Sequence, residues 1–253
     1  MIRICRGNCP LSLQKTGSEF VEGDYKKNDV LLALVEMQHG KCCYCERSLL
    51  ELPPNEREVE HYIPRSYFKD ASGRIQWHLV NRWENLLYAC GGCNGKKLSQ
   101  NPFNETTGER EIIDPSVDID PEDHIEFTID FPIISYKAKA GSILGDCTIN
   151  KLKFREREDL YSKHRKMISI IENHFIDIIN ALIDNDTIKV QQEVKQLERC
   201  MSANVPFAAF SRFFIPRRLN KLNDEQLPLL ETKYYRTINR VSMNIPKGYE
   251  LVM

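Results

Sequence analysis

The chain predicts an α+β fold, mostly helical, with a small metal-stapled core. Three observations predict it. Two Cys-x-x-Cys pairs, Cys42/Cys45 and Cys90/Cys93, flank a short region rich in polar residues. Three segments, Glu58–Ile63, Ile125–Ile129 and Ile133–Ala138, alternate apolar and polar residues as strands do. Beyond Glu156, the residues Leu160, Met167, Ile171, Phe175, Ile178 and Leu182 recur at helical spacing.

Composition bounds this reading. The 253 residues are 42% hydrophobic and 28% charged, enough for a buried core, with no apolar run of membrane-spanning length. Met1–Leu11 lacks the apolar stretch of a signal peptide, so a cytoplasmic location is expected. Nine cysteines suit reduced thiols better than a disulfide framework, and a net charge of −1 argues against polyanion binding over the whole surface. Charge is nonetheless uneven. Acidic residues crowd Glu105–Asp130, including Asp118, and basic ones crowd Lys151–Lys166. The basic stretch reads either as a phosphate-contacting surface or as solvated helix faces.

The elements follow in order. Residues 1–25 are irregular, punctuated by Gly7, Pro10, Gly17 and Gly23. Val30, Leu31, Leu34 and Val35 predict an amphipathic helix over Lys27–His39, closed by Gly40. The first cysteine pair follows, then a proline loop over 51–57. The strand at Glu58–Ile63 stops at Pro64. Trp83, Leu86, Leu87 and Cys90 predict a helix over Trp83–Cys90, and Asn94–Leu98 starts another. After the strands at 125–138, a long helix runs to Asp184. A second follows at about 187–201, and an aromatic one lies around Phe207, Phe210 and Phe214, whose rings are core. The expected division is an N-terminal arm and helix at 1–40, a core at 41–105, and a mostly helical region at 106–253 suited to partner binding.

The cysteine spacing carries the chemistry. Four thiolates in two x2 pairs fill the tetrahedral positions of zinc at about 2.3 Å each, which makes the site structural and closed. Cys5, Cys9, Cys43, Cys147 and Cys200 are left over; Cys5 and Cys9 read as free thiols or as an extension of a metal site, and Cys42-x2-Cys45 fits zinc spacing better than Cys43-x-Cys45. Catalysis then needs other groups. His61, preceded by Glu60, has an imidazole suited to taking a proton from water at neutral pH. Adjacent strand residues point to opposite faces, so Glu60 and His61 share a site only if the backbone curls. Asn94 follows a ligand cysteine directly, and the oxygen donors of Glu60 and Asn94 suit a hard cation such as Mg²⁺. Lys97 and Arg65 read either as phosphate contacts or as ordinary solvated cations.

The stretches CCYC, VEHYIPRS and WENLLYACGGCNGKK resemble the four-cysteine form of the HNH, or ββα-metal, endonucleases. The resemblance implies a zinc-stapled ββα-metal nuclease core with an N-terminal arm and a helical C-terminal region. It makes His61 the general base and Asn85 the residue that steadies the loop and imidazole. Glu60 and Asn94 become ligands of a catalytic divalent cation, with Glu standing for the commoner Asp and Asn for the final His. HGKCCYCE, EVEHYIPRS, IIDPSVDIDPEDHIEF and GDCTINKLKF extend the resemblance over roughly 1–185, to the PtuB family of HNH effectors. That implies anti-phage defence beside a PtuA-like ATPase in Septu systems. In retron systems a reverse transcriptase and its msDNA would be reached through that ATPase. The implied substrate is nucleic acid, DNA favoured. The other reading is a zinc ribbon that binds nucleic acid or protein without cutting.

Overall fold

The computed structural model describes residues 1–117, 119–130 and 133–246; Asp118 of the acidic stretch lies outside them. The chain forms two compact units. Residues 1–126 and 135–157 make the first, and residues 127–134 with those from Glu158 onward make the second. Residues 106–126 and 135–157 thus cluster with the cysteine-bearing region; the boundary read from the sequence, near 105–125, is only a soft one.

In the first unit, α1 (Asn28–Met37) forms where the spacing predicts a helix; Val30 and Leu34 of the predicted series are buried with Met37, and Leu31 and Val35 are half-buried. Two strands, β1 (Arg57–His61) and β2 (Leu86–Cys90), pair antiparallel, with Glu60 opposite Leu87 and His61 opposite Leu86. A short helix, α2 (Trp77–Val80), lies between them in sequence, and α3 (Gly91–Lys97) follows β2 without a linker.

The helix expected over Trp83–Cys90 is not formed. Trp83–Asn85 make a single 3₁₀ turn, and Leu86–Cys90 are a strand. All five residues of β2 are buried. A short run buried on both faces shows no alternation, so its apolar spacing cannot distinguish strand from helix. Pairing with β1 decides it.

The N-terminal arm is irregular, as expected, yet it belongs to the core: Met1, Ile2, Ile4 and Leu13 are buried. Arg6 donates to the carbonyls of Trp83 (2.8 Å), Leu86 (2.9 Å) and Glu84 (2.7 Å), tying the arm to the approach to β2. The alternating segments become paired strands, β3 (Ile125–Asp130) and β4 (Ile133–Ala138). Ser142 caps α4 (Ile143–Lys151) by accepting from the Gly145 amide at 2.9 Å.

The second unit is helical. In α5 (Glu158–Asp184), Leu160, Met167, Ile171, Phe175 and Ile178 are buried at the spacing read from the sequence. Asp186 caps α6 (Thr187–Cys200) by accepting from the Lys189 amide at 2.9 Å. In α7 (Ala208–Lys221) Phe210 is wholly buried and packs edge-on against Phe127, so this ring is core. A five-residue π turn, Leu222–Gln226, leads into α8 (Leu227–Tyr234). Among the described residues no helix is long and apolar enough to cross a membrane.

Candidate metal centre and adjoining cleft

The first cysteine turn is positioned by the end of α1. The Gln38 amide donates to the carbonyls of Lys41 (2.8 Å) and Tyr88 (2.7 Å) and accepts from the Tyr88 amide (2.8 Å). The Cys43 amide donates to the same Tyr88 carbonyl at 3.0 Å. One buried side chain therefore holds the turn against β2. Gly40 sits at φ 66°, a left-handed backbone conformation that favours glycine. The second pair sits at a strand–helix junction: Cys90 ends β2 and Cys93 lies in the first turn of α3.

These elements bring Cys42, Cys45, Cys90 and Cys93 together. Their four sulfurs lie within 4.8 Å of one another, and all four residues are buried. A tetrahedral zinc with bonds of about 2.3 Å has sulfur–sulfur edges of about 3.8 Å. The Cys45 and Cys90 sulfurs are 3.8 Å apart. The donor set thus fits zinc. Burial opposes ionisation of Cys42, yet hydrogen bonds from Cys43, Cys45, Cys90 and Cys93 hold its thiol well below the usual range. Burial together with the Cys42 charge pushes Cys45 well above it. A divalent cation is what lets all four ionise together. Cys43, Cys5 and Cys9 stand outside the cluster.

Arg157 supplies a contact that no sequence motif signals. Its Nη1 donates to the Cys93 sulfur at 3.2 Å. A Cβ on Gly92 would lie 2.7 Å from Arg157 Nη2, so the second glycine of the Cys-Gly-Gly-Cys turn leaves room for the guanidinium.

Beside the cluster, β1 divides its side chains between two environments. Glu60 is buried; its Oε1 meets Lys97 Nζ at 2.6 Å and accepts from the Tyr44 hydroxyl at 3.2 Å. Burial lifts Glu60 above the usual carboxylate range, and the Lys97 ammonium opposes the rise. Lys97 also donates to the His61 carbonyl at 3.0 Å. Its side chain is wholly buried and its charge engaged, so it meets neither a phosphate nor bulk solvent. Both sequence readings of Lys97 give way to this buried pair.

His61 turns elsewhere. Its ring meets the edge of Tyr25 with centroids 4.6 Å apart, and its Nε2 is buried without a hydrogen-bond partner. Burial, and then the charges of Arg65, Lys97 and Lys26, lower its pKa to about 3. Asn85 steadies the loop after β1. Its Oδ1 accepts from the Ile63 amide at 2.7 Å and its Nδ2 donates to the Ile63 carbonyl at 3.1 Å, while its own carbonyl accepts from the Tyr62 amide at 2.9 Å.

Asn94 donates from its side-chain amide to Glu58 rather than approaching Glu60. The expected cation pair, Glu60 with Asn94, is therefore not assembled: Lys97 holds the carboxylate and Glu58 takes the amide. Glu58 was passed over in the sequence, although alternation puts it on the face of β1 that carries Glu60. Glu58, Glu60, His61, Arg65 and Asn94 all line one cleft of about 1060 Å³.

Among known proteins, the chain is 32% identical over 167 residues to the Septu protein PtuB of Bacillus thuringiensis, covering 63% of this chain and 57% of that protein. It is 29% identical over 192 residues to the Septu protein PtuB of Bacillus mycoides (strain KBAB4), covering 69% and 63%. It thus spans less than two thirds of the length of either relative. No family model and no solved structure matches the chain. Over most of its length, the chain is a homologue of the Septu PtuB proteins.

Proposed function

We propose that this chain is an HNH endonuclease that hydrolyses phosphodiester bonds in nucleic acid, DNA favoured, and acts in anti-phage defence beside a PtuA-like ATPase. The similarity to Septu PtuB proteins supports the defence role. The observation that carries the chemistry is the strand–strand–helix unit of β1, β2 and α3, fastened by four cysteines, with His61 at a cleft that also holds Arg65 and Asn94.

In this reading the zinc is scaffold. His61, neutral at pH 7, takes the proton of the attacking water, and the base strengthens as the bound anionic substrate brings its pKa up from the buried value of about 3 toward the working pH. Asn85 fixes the backbone just beyond His61, and Arg65 contacts the scissile phosphate or its neighbour. A divalent cation, when bound, would neutralise charge developing at that phosphate. Its requirement rests on the family resemblance and on the oxygen donors of Glu58, Glu60 and Asn94 in one cleft. The test is incubation of the zinc-loaded chain with DNA and with RNA, with and without Mg²⁺, alone and with the ATPase. Cutting that needs Mg²⁺ supports the reading.

One observation favours a second reading. Glu60 is engaged by Lys97, and Asn94 by Glu58, as suits a zinc ribbon that binds without cutting. Nucleic-acid binding with no cleavage in any arm of that experiment selects it.

A further inference from the structure

The first unit engages many of its cations with carboxylates. Lys15 and Lys27 meet Asp24 at 2.7 and 3.0 Å, Lys97 meets Glu60 at 2.6 Å, and Lys151 meets Glu111 at 2.6 Å. Three exposed cations at the rim of one cleft differ: Lys26, Arg65 and Lys69. Among the described residues none of the three is in an ion pair. Lys26 lies over the Tyr25 ring at 5.5 Å, and Arg65 donates weakly to the Tyr25 hydroxyl at 3.4 Å. They come from two separate segments of the chain, yet all three line the cleft that holds His61.

The chain as a whole carries a net charge of −1, so this concentration of unpaired positive charge is local.

We infer that Lys26, Arg65 and Lys69 form the track along which a nucleic-acid backbone enters the His61 cleft. The inference rests on the nuclease reading for what happens next, but the track is a binding surface in its own right. Each ammonium or guanidinium displaces counterions from a phosphate without reading sequence. Lys26 and Lys69 are thereby positioning residues, acting on the substrate's register and not on the reacting bond.

The experiment measures binding of full-length, zinc-loaded protein carrying His61→Ala, without added divalent metal, to a fluorescent DNA duplex and a single-stranded RNA across a salt series. Each phosphate contact contributes about 0.9 to the slope of log affinity against log salt on duplex DNA and about 0.7 on single strands. Adding Lys26→Ala and Lys69→Ala should lower the duplex slope by about 1.8, alike on unrelated sequences. Lys195→Ala with Lys221→Ala, the same change in net charge on exposed lysines of the second unit outside the basic Lys151–Lys166 stretch, should leave the slope in place. An unchanged slope in the first pair overturns the track, as do an equal fall in both pairs and an absence of binding at low salt. Cleavage by the protein with His61 intact is read separately. A lowered slope without cleavage keeps the track and sinks the nuclease, and cleavage with an unchanged slope does the reverse.

Discussion

Lys97 Nζ lies 2.6 Å from Glu60 Oε1, with both side chains excluded from solvent. This pair ties the end of α3 to β1 beneath the candidate site, and the Tyr44 hydroxyl and the His61 carbonyl complete its hydrogen bonds. A buried ion pair adds little net stability over an apolar one, but removing one member leaves the other charge uncompensated.

Lys97→Met should therefore destabilise the protein by about 3–5 kcal/mol, and adding Glu60→Leu should restore much of the loss. Urea denaturation of the single and double variants measures both. A loss under about 0.5 kcal/mol, as for a surface lysine, would contradict the buried pairing.

The zinc should depend on Arg157 as well as on the cysteines. Arg157→Met removes the donor to the Cys93 sulfur, and loss of such an outer contact typically costs 10–100-fold in metal affinity. Competition with a chromogenic chelator reads this directly. Cys93→Ser should lose the metal and, with it, the native fold.

Asn85→Ala strips both side-chain hydrogen bonds from Ile63 and should cost about 1–3 kcal/mol. Thermal denaturation measures the loss. Under the nuclease reading the variant should also cut more slowly than its stability explains, because the segment after His61 is no longer held.

His61 gives a pH signature. Its folded pKa of about 3 lies below the ordinary imidazole value, so the folded state binds its proton less readily than the unfolded one. The stability it contributes is present above about pH 6.5 and is lost as pH falls toward the folded value. Ring resonances of His61 should stay in the neutral position from pH 8 down to pH 5. A midpoint near 6.5 in the free protein would contradict the burial.

How much of this was legible in the sequence depends on how far apart the partners lie. The cysteine pairs announced themselves by spacing, and α1, α5 and α6 by helical periodicity, because local pattern specifies both. Alternation in β1 puts Glu60 and His61 on opposite faces, and their contacts do differ, Glu60 meeting Lys97 and Tyr44 and His61 meeting Tyr25, although both line one cleft. β2 was misread because a strand buried on both faces carries no alternation. Lys97, Tyr25 and Arg157 reach their partners across long stretches of chain, and no motif records such contacts. Glu58 shares the Glu60 face of β1 by the period of two in the EVEH run.

The central claim is that His61 makes this cleft hydrolytic. The most direct measurement compares zinc-loaded wild type with zinc-loaded His61→Ala, both with the ATPase and Mg²⁺, on the same labelled DNA and RNA. Wild type should cleave, and the variant should lose at least about 100-fold in rate, the scale of a missing general base. Equal cleavage by a variant that keeps its zinc would contradict the claim.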